Sequence, residues 1–182
     1  MLNGWDEQLA QCCQRRTDKI TLPGKLPAGL NGAYLRFLAQ YRGGEITADC
    51  RLYGYEQALE HHRYLEREHP EFSRTVWPVG SAGNGDEWFF ARGSNTILYY
   101  DHDAGQYDAQ HVEDMRISFT EFVELHFLYR ELEDYLDRRG ALTDTQRQDF
   151  VRSVNAIRDG LFEDYPFAPP EYPQPHPPPI SY

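Results

Sequence analysis

Long apolar runs are missing from this 182-residue chain: no stretch approaches the roughly 20 consecutive apolar residues that a membrane span needs. The opening Met1–Asp6 also lacks the basic-then-apolar pattern of a secretory signal, so the chain is expected to stay in the cytoplasm. Cysteine is scarce. Cys12, Cys13 and Cys50 are odd in number and two are adjacent, a poor basis for a disulfide framework and one that suits a reducing compartment. Positive charge is in deficit, with 18 Lys+Arg against 29 Asp+Glu and a formal net charge of -11. Such a surface repels nucleic acid and anionic membrane, so direct binding to either is not expected. The same excess speeds capture of a basic protein, or serves solubility alone.

Motifs for chemistry are equally sparse. There is no H-E-x-x-H and no G-x-S-x-G. The glycine-rich run Gly80–Gly85 lacks a following Gly-Lys-Ser/Thr, and Asp86-Glu87 after it would repel a phosphate, so it reads as a hairpin turn. Asp101-His102-Asp103 offers ligand types for zinc or manganese. Adjacent residues in a strand end alternate sides, however, and Asp103-Ala104-Gly105 reads as turn chemistry. His61-His62 has the same weakness and is assigned to the surface. Carboxylates abound near the expected strands, and no spacing singles out an acid–base pair. No catalytic residue, metal or cofactor is assigned, and the chain is not expected to be an enzyme.

What is plentiful is apolar and aromatic material, 40% and 14% of the residues, enough for one hydrophobic core. Trp5, Leu9, Cys12 and Cys13 share a helical stripe, which predicts a first helix to about Arg16. After the loop Leu22-Pro23-Gly24-Lys25, Pro27 opens a second helix along Leu30, Tyr34, Phe37, Leu38 and Tyr41, ended by Gly43-Gly44. Strands are predicted at Glu45–Thr47 and Cys50–Tyr53, then a polar helix from Tyr55 to His69 that Pro70 stops. Thr75–Val79, Glu87–Ala91, Thr96–Tyr100 and Gln110–Met115 read as an antiparallel meander, with Asn84-Gly85 as a tight turn. In that meander Trp88 and Phe90 face opposite to Phe89, the inward side being undetermined. Capping boxes at Ser118/Glu121 and Thr143/Gln146 open two further helices, the first ending at Gly140 and the second buried along Phe150, Val151, Val154, Ile157 and Leu161. From Asp164 prolines crowd an extended tail, which either docks through Tyr165, Phe167 and its other aromatics, stays disordered, or awaits a partner.

The series Leu26-Pro27, Tyr34-x-x-Phe37-Leu38-x-x-Tyr41-x-Gly43-Gly44, Trp77-Pro78-Val79-Gly80, Gly85-Asp86-x-Trp88-Phe89-Phe90, Ile97-Leu98-Tyr99-Tyr100-Asp101-His102 and Ile117-Ser118-Phe119-x-x-Phe122 resembles the SUKH superfamily. That group contains immunity proteins of bacterial polymorphic toxin systems and a yeast cell-wall regulator. Here Arg42 stands before Gly43-Gly44 where the family usually has asparagine. The resemblance implies an α+β fold with a mixed, mainly antiparallel sheet packed against flanking helices. It covers roughly 22–136, and the chain is read as a SUKH-like domain over 1–140, an additional C-terminal helix packed on it over 141–162 and a proline-rich tail over 163–182, the last two outside the family pattern. It implies a cytosolic antidote, monomer or weak homodimer, that binds a cognate toxin and occludes its active site; a basic nuclease or another nucleic-acid-modifying effector would suit the charge. The alternative is a non-catalytic regulatory or scaffold protein with a housekeeping partner. Since family members differ in partner, the binding residues are chosen on charge and aromaticity: Asp49, Glu56, Asp86, Glu87, Asp101, Asp103 and Asp108, with Tyr53 and Tyr55 as anchors.

Overall fold

The computed structural model describes residues 5–18, 20, 26 and 30–167. Among these, seven strands form one sheet: β1 (Cys13–Arg15), β2 (Tyr41–Thr47), β3 (Cys50–Tyr53), β4 (Val76–Ser81), β5 (Glu87–Ala91), β6 (Ile97–Tyr100) and β7 (Val112–Asp114). They lie side by side in chain order, every neighbouring pair antiparallel. The helices are α1 (Asp6–Cys12), α2 (Gly32–Gln40), α3 (Tyr55–Glu68), α4 (Pro70–Ser73), α5 (Phe119–Arg139), α6 (Asp144–Ile157) and α7 (Leu161–Asp164). The fold is therefore α+β, with an antiparallel sheet flanked by helices.

Both sheet faces are covered. Trp88 and Phe90 of β5 enter the larger core with Tyr34, Phe37, Phe119 and Phe122 from α2 and α5, while Phe89 enters a second core with Leu65, Phe72, Leu98 and Tyr100. An antiparallel sheet commonly leaves one face in water. Here α3, α4 and the segment after β6 close the second face, and β5 is buried on both sides.

The predicted helix to Arg16 ends instead at Cys12, because Cys13 and Arg15 pair with Gly44 and Tyr41 of β2. Likewise α2 stops at Gln40, and Gly43-Gly44 lies inside a strand. The reason is a close approach: a Cβ on Gly44 would sit 2.1 Å from the Cys12 carbonyl oxygen and 2.6 Å from the Cys13 Cα. Glycine there lets β1 reach the sheet. At its other end α2 begins at Gly32, where Asn31 Oδ1 accepts from the Ala33 amide at 2.7 Å. The predicted start at Pro27 falls outside the described residues.

Elsewhere local signals hold. Ser118 and Glu121 cap α5, Gly140 ends it at φ 79°, and Thr143 with Gln146 caps α6. Leu161 lies in α7, not in α6 as predicted. The tail begins docked: Tyr165 is buried against Tyr129 (ring centroids 4.5 Å apart), and Phe167 packs edge-on to Tyr99 at 5.7 Å. The prolines from Pro169 onward lie outside the described residues.

Candidate functional site

Alternation of strands brings the β2–β3 turn, the β4–β5 turn and the segment after β6 to one end of the sheet. Hydrogen bonds join them: the Gly83 amide donates to the Ala48 carbonyl at 2.8 Å, and the Trp88 indole donates to the Asp49 carbonyl at 2.8 Å. Asp49, Asp86, Asp101 and Asp103 all belong to this end.

Asp86 is not an outer charge, contrary to the sequence reading. It is only 2% exposed, and its carboxylate accepts from Asn84 Nδ2 (2.6 Å), the Tyr99 hydroxyl, the His102 amide (3.0 Å) and His102 Nδ1 (2.7 Å). Burial alone would raise its pKa, but the bonds from Tyr99, His102 and Asn84 together outweigh it and hold the carboxyl below the usual range. Its neighbour His102 is shifted upward, chiefly by the bond to Asp86 and further by the charge of Asp103. Since His102 Nε2 faces Asp103 Oδ1 at 3.3 Å, both ring nitrogens are turned to carboxylates. That arrangement favours the imidazolium, which has no lone pair to offer as a base.

Donor atoms of Asp86, Asp101 and His102 lie within 4.8 Å of one another. Asp86 thus replaces Asp103 in the trio that sequence adjacency suggested. With four donors already directed at Asp86, the trio is organised as an ionic hydrogen-bond network, and a cation would have to displace those donors. Asp101 caps its own short 3-10 helix through the Asp103 amide (2.8 Å), and Asp108 accepts from Gln110 and His111. Asp49 is half-buried, its pKa raised by burial and then by the charge of Asp86.

The other predicted residues belong elsewhere. Opposed pairs run across the sheet as one row, Glu45–Arg51–Ser81–Glu87–Tyr100, on the face that carries α3. Glu87 is also buried, at 8% exposure, because it points to this face, opposite to its neighbour Asp86. It accepts from the Tyr107 hydroxyl at 3.0 Å and lies 3.1 Å from His61 Nε2. Tyr53, Gln57, Glu60, His61 and Tyr64 line a shallow open depression beside it. Tyr55 is half-buried against the main core, and Glu56 is held by Arg16 in a bidentate pair that lowers its pKa.

Sequence reasoning left His61 as a surface residue, gave Tyr107 no separate role and did not single out Tyr64 or His69, yet the four lie together. They form a ring ladder, His61–Tyr64 at 5.9 Å, Tyr64–His69 at 6.0 Å and His69–Tyr107 at 4.6 Å. The i, i+3 spacing of His61 and Tyr64 on a polar helix was the available signal. His62, expected on the surface, is buried on Trp77 (4.9 Å) and contacts Arg92 at 3.1 Å. No family model matches this chain, and no curated protein or solved structure matches it.

Proposed function

We propose that this protein is a non-catalytic immunity protein that binds a cognate bacterial toxin in the cytoplasm and neutralises it by occluding the toxin's active site. The observation that carries this reading is the open depression on the α3 face, where Tyr53, His61 and Tyr64 stand beside Glu60 and above the buried Glu87. Among the described residues Tyr64 is the one large hydrophobic side chain that is well exposed, at 40%. Rigid rings supply contact area at small entropic cost, and carboxylates within a net charge of -11 orient and accelerate a basic partner. The motif order shared with the SUKH superfamily supports the same function. A basic nuclease or nucleic-acid-modifying effector is the toxin class that suits this charge.

The test is co-expression with the product of the gene immediately upstream, scored for rescue of growth and for co-purification. Rescue is expected with the native chain and lost with a folded Glu60→Gln/Tyr64→Ala double variant, and association should slow as salt rises. A non-toxic upstream product, or undiminished rescue by the double variant, would refute the proposal.

A further inference from the structure

Adjacent side chains in a strand point to opposite faces, and in a helix they diverge around the axis. Cys12 and Cys13 do neither. Cys12 is the last residue of α1 and Cys13 the first of β1, and the change of conformation between them turns both thiols to one place, Sγ to Sγ 3.8 Å. Their backbone is held by pairing with Gly44, which approaches so closely that a Cβ there would overlap Cys12 O and Cys13 Cα. The pair is thus pre-organised by the sheet. Cys12 is partly buried and Cys13 buried, so Cys12 is the more accessible of the two thiols.

We propose that Cys12 and Cys13 form a dithiol chelate for a thiophilic bridging centre, of which a trivalent arsenical is the chemical type. A direct disulfide fits poorly. Neighbouring Cα atoms across a trans peptide are about 3.8 Å apart, short of the roughly 4.4–6.8 Å that unstrained disulfides span. An arsenic atom inserted between the sulfurs lengthens the bridge and removes that misfit. The reaction balances without an oxidant: two As–O bonds of a hydrated organoarsenical break, two As–S bonds form, and each thiol proton leaves with a hydroxide as water. Arsenic remains trivalent. Cys12 is suited to attack first: its contact with the Cys13 thiol and, less, Arg130 lower its pKa to about 7 against burial, while the same contact and burial push the Cys13 thiol up, so Cys13 follows as the second ligand. Cys50 is not a third ligand, since the only described trio of ligating side chains with donor atoms within 4.8 Å is Asp86, Asp101 and His102.

The experiment is intact-mass titration of the full chain with phenylarsine oxide, followed by a challenge with excess glutathione and then with 1,2-ethanedithiol. One equivalent should bind, survive the monothiol and leave with the dithiol; the adduct should be lost in Cys12→Ser and in Cys13→Ser and kept in Cys50→Ala. Peptide mapping of the native chain, reading which cysteines the arsenical protects from alkylation, gives the same answer without relying on a variant's folding. An adduct that glutathione removes, that persists in Cys12→Ser, or that protects Cys50 in place of the adjacent pair would overturn the proposal.

Discussion

Lowering the pH should unfasten the docked start of the tail through one histidine. His126 of α5 is fully buried, its Nδ1 2.8 Å from the Phe122 carbonyl and its Nε2 3.1 Å from the Tyr165 hydroxyl. The carbonyl can only accept, so Nδ1 carries the proton and Nε2 takes the hydroxyl's. Protonation would put a charge in the core and turn the Tyr165 hydroxyl from donor to acceptor. Burial accordingly lowers its pKa from 6.5 to about 4. The folded state then refuses a proton that the unfolded chain accepts, so stability is fully present above pH 6.5 and lost as pH falls. With these two values the loss is about 2 kcal/mol at pH 5 and about 3 kcal/mol at pH 4. Other groups titrate in the same range: His62 is shifted down by burial and adds to the loss, while His102 is shifted up by Asp86 and opposes it. Urea denaturation of the native chain and of His126→Gln, repeated between pH 7 and 4, removes these shared contributions by difference. The variant should be less stable at pH 7, and the gap should close by about 3 kcal/mol at pH 4. Parallel curves, or a His126 ring that titrates near 6.5 by NMR, would show that this histidine is not the cause.

Gly44→Ala should destabilise the fold by about 3 kcal/mol or more in urea, because the new methyl overlaps backbone, which cannot yield as a side chain does; a loss below about 1 kcal/mol would show that β1 can separate from β2 at little cost. Asp86→Asn should cost about 2–3 kcal/mol by uncharging a buried acceptor of four hydrogen bonds. In that variant an NMR titration should find the His102 pKa moved down toward that of free imidazole, and an unchanged value would place the cause of its shift elsewhere.

Amino-acid order alone makes legible the parts whose causes are local. Period-two runs and glycine turns marked β4 to β7, two capping boxes fixed the starts of α5 and α6, and Gly140 fixed the end of α5, since each depends on atoms a few residues apart. It also determined that both neighbours of Phe89 face away from it. What each face meets depends on contacts between segments distant in the chain. Cys13–Arg15 and Tyr41 fall within segments of helical periodicity, yet they became strands because each segment supplies the other's hydrogen-bond partners, a gain invisible to either segment alone. The acidic residues divided in the same way. Asp86 and Glu87 read as identical surface charges, but strand alternation sent one into a network with Tyr99 and His102 and the other beneath α3 beside His61 and Tyr107. A carboxylate's role depends on which donors surround it, and those donors arrive from residues well away in chain order, Tyr107 20 positions from Glu87 and His102 16 positions from Asp86.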